Sequence, residues 1–512
     1  MRVLVFHGYL LRGTGSNIYN ASLARALAGM GHEVHLLCQD RDAGELEWVS
    51  AVGGWTNGGL EVQRLRDPGG PGLVTVYVPD IGGVLPVYVK DTYPGFEAKA
   101  FPELSDAELD RYLEANVAAV RDVVAAAGEP DAALANHLVM GPLVLARALG
   151  GGGFAAKVHG SALEYTVKPN PRFLPHAKEG AEAAEGILVG SRHTAESLWA
   201  ALPDLGLEEK TRLGPPGVDL DEFSPAQAGA RSAVLETLAG RIEAGGGEEA
   251  FGRDRAAAAA ALGDVAVADG PLVVFVGKLI LSKGVDLLLA AWPLVRSGHP
   301  DARLLMVGFG GWEEGAQRMV AALDRGDADE LRELARAGRG LEGGPAEPLP
   351  ILSRFLDDPP PGYLEAGRGS APSVSFAGRL EHEEVAELLP HADALVMPST
   401  FPEAFGMVAV EAASCGVLPI SAAHSGMREV SLQLAPVLPE ELRELISFEV
   451  APGAVEALGG RVERWLAVPP PRRREVGAAL RARVAELWSW EAVAEGVIAG
   501  ARGELERLPS AD

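Results

Sequence analysis

Two glutamates eight positions apart, Glu403 and Glu411, stand in the segment PSTFPEAFGMVAVE at 398–411. The apolar run before it reads as a strand that ends at Pro398, and a helix is expected to begin near Phe405. Glu403 then belongs to the loop and Glu411 to the helix. With a rise of about 1.5 Å per helical residue, the two carboxylates come to lie about 10 Å apart. That is the span of a nucleotide-sugar from its hexose hydroxyls to its ribose hydroxyls. The amides of Phe405, Gly406 and Met407 would point at whatever lies between, which suits a diphosphate. The plainer reading has Glu403 serving the helix dipole and Glu411 on the surface. Glu411 is flanked by Val410 and by Ala412 and Ala413, which argues against a wholly solvated face.

Two lysines five apart, Lys278 and Lys283, follow the apolar run 272–276 in GKLILSKG. Ligands of open α/β sheets bind at the carboxyl ends of strands, and two ammonium groups there could hold a diphosphate. A solvated loop with two surface lysines is the competing account. The loop Gly13-Thr14-Gly15-Ser16 offers close backbone approach and a helix N-terminus. It lacks the third glycine of a dinucleotide fingerprint, having Ile18 in that place, and it is not a P-loop. A nicotinamide or flavin cofactor is thereby disfavoured, and a turn capped by Ser16 or Asn17 is the bland alternative.

An alternation of strands and helices must position these loops. Apolar runs occur at 2–6, 33–37, 73–78, 132–135, 155–158, 186–189, 272–276, 303–307, 373–376, 393–397 and 417–420, with helical stretches between most of them. The first helix is expected over about 17–30. Such alternation implies an α/β chain with parallel sheets and crossover helices. The count suits two Rossmann-like halves. A Pro/Gly cluster at 215–217 marks the boundary, giving domains 1–212 and 213–471. Segments 226–268 and 312–372 are expected to be surface insertions, helical in part.

Composition narrows the classes. The chain has 512 residues, enough for two to four domains. It carries 45 Lys and Arg against 71 Asp and Glu, a net charge of −26, which argues against nucleic acid or anionic lipid as a partner for a broad basic surface. Hydrophobic residues are 47%, enough for real cores and against general disorder. Only two cysteines are present, Cys38 and Cys415, so neither a disulfide framework nor a cysteine zinc site can be built, which fits a reducing cytoplasm. The opening MRVLVFHG is short, has no small-residue cleavage site and does not read as a signal peptide. No stretch reaches the roughly 18 uncharged apolar residues of a membrane helix.

Taken in order, GTGSNIYN after the first strand, VHGSALEY at 158–165, GPPGVDLDEFSP at 214–225, VGKLILSKGVDLLL at 276–289, FAGRLEHEEVAELL at 376–389 and the E-x7-E segment at 403–411 resemble the family 4 retaining glycosyltransferases of the GT-B fold. The resemblance spans most of the chain. The E-x7-E segment is its most specific part and the glycine loop its weakest. It implies two Rossmann-like domains facing a cleft, the second binding a nucleotide-activated sugar, with a final helix from about 472–512 crossing back to the first.

The resemblance also implies roles. Glu403 would contact donor-sugar hydroxyls near the anomeric centre, and Glu411 the ribose. Lys283 matches the diphosphate lysine. Lys278 stands where the family usually has arginine, keeping the charge and losing the bidentate fork. Gly15 would approach the donor phosphates, His159 would lie near the reacting centre, and the backbone at Leu380 would contact the base. The segment 87–104, which includes Tyr93, and the pair Asn136-His137 follow strand ends and are candidates for the acceptor site, ordinary loop packing being the alternative. The triplets Asp40-Arg41-Asp42, Asp219-Leu220-Asp221 and Asp327-Ala328-Asp329 are read as structural or solvated, so no metal is expected. No permanently bound cofactor is expected either; a UDP-, ADP- or GDP-hexose would be co-substrate, and a sugar or glucan the acceptor. A sugar phosphorylase, a UDP-sugar epimerase and, last, a non-enzymatic carbohydrate-binding protein are the competing readings.

Overall fold

The computed structural model describes residues 1–13, 15–56, 59–88, 95–226, 231–245 and 253–511. Thr14 and Tyr93, both named above, lie outside the described residues. The chain divides into two units, Met1–Gly217 with Trp488–Asp512, and Val218–Leu487.

The first unit holds β1 (Arg2–Phe6), β2 (Glu33–Leu37), β3 (Ala51–Thr56), β4 (Gly59–Arg64), β5 (Leu73–Tyr77), β6 (Val84–Val87), β7 (Glu97–Ala100), β8 (Ala132–Asn136), β9 (Phe154–Val158), β10 (Gly186–Val189) and β11 (Thr211–Leu213). Nine of them form one sheet in the order β11-β10-β9-β8-β1-β2-β5-β3-β4, and β6 pairs separately with β7. The large sheet is parallel except for the pair β3–β4. Successive side chains of a strand point to opposite faces. Val3 and Val5 join Tyr19, Leu23 and Trp490 on one face, while Leu4 and Phe6 join Leu113, Val120 and Leu143 on the other. A parallel strand covered on both sides reads as an unbroken apolar run, which is why RVLVF could be found in the sequence.

The second unit holds β12 (Leu272–Val276), β13 (Arg303–Val307), β14 (Val374–Gly378), β15 (Ala394–Met397), β16 (Leu418–Ala422) and β17 (Ser447–Phe448). Their order is β14-β13-β12-β15-β16-β17, all parallel. The chain winds outward from β12 in one direction and from β15 in the other. The strand order therefore reverses between β12 and β15, and in the first unit between β1 and β8. Such switch points leave crevices at the carboxyl ends of the strands.

The described helices of both expected surface insertions instead pack into the core. In 226–268, helices Arg231–Ala244 and Arg255–Ala266 pack on each other and the second packs on β14, burying Leu235, Leu238, Ile242, Leu262 and Val265. In 312–372, helices Glu313–Arg325, Ala328–Ala337, Pro350–Asp357 and Tyr363–Gly367 bury Met319, Leu323, Leu331, Leu334 and Phe355. The Tyr363 hydroxyl donates to Ala290 O of helix Val285–Gly298 at 2.8 Å. Apolar positions three and four apart outweighed the high charge that suggested solvated loops.

Boundaries moved too. The first helix is Gly15–Gly29. Helix Pro470–Leu487 stays with the second unit, where Arg481 donates to Phe223 O at 3.0 Å, Ser414 O at 3.0 Å and Leu220 O at 2.9 Å. The part of the C-terminal stretch that belongs with the first unit is Trp488–Asp512, which carries helix Trp490–Ala501.

Gly284 shows how tightly the β12 loop is built. Its φ is +70°, and a Cβ there would sit 1.9 Å from Pro398 O, at the end of β15. Gly284→Ala is expected to cost about 3 kcal/mol, from left-handed strain and displacement of a backbone carbonyl. Denaturant unfolding measures it; a change below about 0.5 kcal/mol, the range of an indifferent surface site, would show that the two loops are not held together there.

Candidate active site

The loops after β12 and β15 leave neighbouring strands on the same edge of the second sheet. They are laced together: Thr400 N donates to Ser282 O at 2.9 Å, and Thr400 Oγ1 donates to Leu281 O at 3.2 Å. Lys283 closes the short turn Leu281–Lys283. Its ammonium donates to Oε1 of Glu403, 120 residues further on, and Ser399 Oγ donates to the same oxygen at 2.8 Å. No partner among the described residues reaches Oε2.

Glu403 is also held by its backbone. Its N–H donates to Ser425 Oγ at 2.9 Å, and Gly426 N donates to its carbonyl at 2.9 Å. Ser425 adopts a φ of +51°, unusual without glycine, at the point where it caps this loop. His424 Nε2 donates to Ser399 O at 2.7 Å. Burial pushes the Glu403 carboxyl up, but the Lys283 charge and hydrogen bond, Ser399 and His424 outweigh it and hold it below the usual range. Lys278 lies half-buried in the same loop. Glu342, from the supposed insertion, accepts from Leu281 N at 2.5 Å and so braces the turn that carries Lys283.

The helix after Glu403 is Met407–Ser414, with Gly406 as its N-cap at φ +110°. Its orphan first-turn amides therefore begin at Gly406 and Met407, and Phe405 precedes it. Glu411 lies in this helix and is 5% exposed. His382 Nε2 donates to its Oε1 at 3.0 Å, while His382 Nδ1 stands 3.6 Å from Glu222 Oε1 and the ring lies 4.9 Å from Phe223. Leu380, two residues earlier, is buried.

Burial pulls the His382 imidazole down, yet Glu411 and Glu222 together bring it up to about 10. It is a cation at neutral pH. Its pKa is raised on folding, so its contribution is complete below the ordinary histidine value of about 6.5 and is lost as pH rises through about 10. His382→Gln is expected to cost about 3 kcal/mol at pH 6, because it strands the Glu411 carboxylate. Unfolding curves at pH 6 and pH 10 should show the difference from wild type shrinking; a pH-independent difference would remove the charge from the account.

The switch point of the first unit gathers a polar cluster. His7 follows β1, Asn136 ends β8, and His159 follows β9. His159 Nε2 meets Asn136 Oδ1 at 2.7 Å, and Asn136 Nδ2 donates to Asn20 Oδ1 at 2.7 Å. Asn20 Nδ2 meets His7 Nδ1 at 3.0 Å, and His7 Nε2 meets Asn17 Oδ1 at 2.9 Å. Asn136 and His137 are 1% and 2% exposed. Asn136 thus stands behind His159, and the His137 ring stacks on His7 and packs against Tyr9, Tyr88 and His159 at steeper angles. Gly15 is exposed at the start of its helix. Lys157 is buried beneath Tyr19, its ammonium donating to Gly214 O, and burial brings it down to about 7.

The D-x-D triplets spend their first aspartates on backbone amides: Asp40 on Leu11 and Asp42, Asp219 on Asp221 and Glu222, and Asp327 on Glu330 at the head of a helix. Among the described residues no helix is long and apolar enough to cross a membrane.

Sequence reasoning missed Ser399, His424, Ser425, His382 and Glu222 around the glutamates, and His7 and Asn20 behind His159. None carries a local signal, since each acts through a partner distant in the chain.

Comparison with known proteins bears out the glycosyltransferase resemblance. Residues 365–481 match the family described as glycosyl transferases group 1. The chain is 28% identical over 364 residues to a D-inositol 3-phosphate glycosyltransferase of Geodermatophilus obscurus, covering 70% of this chain and 61% of that relative, so it spans less than two thirds of the relative's length. Among solved structures, sucrose-phosphate synthase from Thermosynechococcus elongatus superposes with a TM-score of 0.57 at 21% identity, covering 99% of this chain and 98% of the other. HepE of Anabaena, in complex with UDP-glucose, superposes with a TM-score of 0.57 at 14% identity, covering 99% and 100%. The fold is GT-B, and the chain's likeness is to group 1 glycosyltransferases of that fold.

Proposed function

We propose that the chain transfers a hexosyl unit from a nucleotide-diphosphate sugar to an acceptor hydroxyl, with retention of anomeric configuration and without a divalent metal. The observation that carries this is the pairing of Lys283 with Glu403 at the switch point of the second unit, with Glu411 in the helix that begins four residues after Glu403. Each glutamate has Oε1 taken by a cation and no described partner on Oε2, so each keeps one oxygen for a sugar hydroxyl.

The chemistry rests on what each group can stabilise. As the glycosidic bond to the diphosphate breaks, negative charge grows on the leaving phosphate. Lys283, Lys278 and the first-turn amides at Gly406 and Met407 are donors suited to that charge, in place of a metal. Glu403 would grip the reacting hexose and Glu411 the ribose. The acceptor oxygen bonds to the anomeric carbon on the face the phosphate leaves, and the departing phosphate oxygen takes the acceptor's proton; this same-face attack through an ion pair accounts for retention. The crystallised HepE complex supports UDP-glucose as one donor to try first. A sugar or glucan acceptor and action in the cytoplasm belong to the same reading.

The test is release of nucleoside diphosphate from UDP-, ADP- and GDP-hexoses, with and without acceptor and with excess chelator. Acceptor-dependent release that survives the chelator is expected. Sugar phosphate formed from inorganic phosphate would point to a phosphorylase, and an epimerised donor without release to an epimerase. Loss of activity restored by magnesium would overturn metal independence.

A further inference from the structure

The hydrogen bonds behind His159 run in one direction, and backbone carbonyls set that direction. A backbone carbonyl can only accept. Asn136 reaches Phe6 O at 3.2 Å, so the atom facing it is the amide nitrogen. Asn20 reaches Ser16 O at 2.8 Å and Asn17 reaches Arg12 O at 2.7 Å, fixing both amides in the same way. With the nitrogens pinned, the oxygens have no choice. Asn136 Oδ1 faces His159 Nε2, which must then carry the hydrogen. Asn20 Nδ2 donates to His7 Nδ1, which must be bare, and His7 Nε2 donates to Asn17 Oδ1 and to Leu10 O at 3.0 Å. Every donor in the chain of bonds meets an acceptor.

We propose that Asn136 is a positioning residue that holds His159 as the Nε2–H tautomer, so that Nδ1 is presented as a hydrogen-bond acceptor to a substrate hydroxyl at the switch point of the first unit. No partner among the described residues reaches that nitrogen. The role of His159 toward sugar rests on the glycosyl-transfer reading; the tautomer does not. Burial, with His137 and Lys157 nearby, also keeps the His159 ring uncharged, so Nδ1 is a lone pair and not a donor. An acceptor nitrogen discriminates chemically: it binds a hydroxyl and rejects the deoxy or fluoro sugar at the same carbon, which has no hydrogen to give.

Two measurements test this. Long-range proton–nitrogen spectra of the full chain labelled with 15N-histidine, assigned through His159→Gln, report the tautomer without any turnover. Wild type should show His159 as Nε2–H; an Nδ1–H ring, or a charged ring at pH 7, overturns the proposal whatever the enzyme does. The second is a double-mutant cycle. Asn136→Ala should lower kcat/KM about tenfold, the effect typical of a partner that orients a working histidine. In a His159→Ala background the same change should cost less than about twofold, because nothing remains to orient. An equal loss in both backgrounds would make Asn136 a general structural residue and sink the proposal. If no nucleotide sugar is turned over, the functional reading fails, and the spectra still decide whether Asn136 sets the ring.

Discussion

On the proposed function, Glu403→Gln is expected to lower kcat about a hundredfold or more and to change the donor KM by less than about threefold. The reason lies in where its charge acts. Oε1 is fixed by Lys283 and Ser399, so Oε2 is held in one orientation, which on the proposed function faces the reacting sugar. An interaction that strengthens as the transition state forms appears in kcat, and loss of one preorganised electrostatic contact of this kind costs about 10²–10³ in rate. Glutamine keeps the shape and removes the charge. Discrimination between glucose- and galactose-type donors should weaken as well. Glu411→Gln provides the contrast: it should raise the donor KM about tenfold with kcat nearly unchanged, the pattern of lost uniform binding. Full kinetics for both variants, with two donors sharing one base, decide the matter. Equal, purely binding-type effects would remove Glu403 from the sugar.

Lys283→Ala is expected to reduce kcat/KM by about 10²–10³, the same scale, through loss of the cation facing the leaving group. The structure adds a consequence for pH. Burial is the largest influence on the Glu403 carboxyl and pushes it up; the Lys283 charge and hydrogen bond are the main opposition. With alanine at 283 the main opposition is gone, Ser399 and His424 remain, and the carboxyl is expected to rise. In wild type the ionised form is lost only as pH falls through a value below the usual carboxylate range, so the acid limb of kcat lies low. In Lys283→Ala that limb should move toward neutrality. A pH profile of kcat for both proteins measures it. An unshifted acid limb together with an unchanged rate would separate Lys283 from both the diphosphate and Glu403.

Much of the scaffold was legible because the physics is local. Strands covered on both faces, such as β1 and β12, appear as short apolar runs, and the strand end at Pro398 with a helix start near Phe405 places Glu403 in a loop and Glu411 in a helix. Apart from β6, whose VLPV is apolar and buried, the strands outside those runs lack that signal. In β4 five of six residues are exposed, and its neighbour β3 carries two glycines; β7 is the polar EAKA; β11 and β17 are only three and two residues long. In 312–372 the high charge masks a helical periodicity, which Ala316, Met319, Val320 and Leu323 follow.

The residue types of the candidate site, and their places at strand ends, can be read from the chain alone: Lys278 and Lys283 after one apolar run, Glu403 after another, His159 after a third. Which of them meet depends on the folded arrangement. Lys283 reaches Glu403 because the strand order reverses between β12 and β15, so two loops 120 residues apart emerge side by side. His382 becomes a cation because folding places it between Glu411 and Glu222, and Asn136 becomes the orienting partner of His159 because β8 lies beside both β1 and β9. Hydrogen bonds and charge pairing act over a few ångströms of space, and sequence separation carries no record of those distances until the sheet order is set.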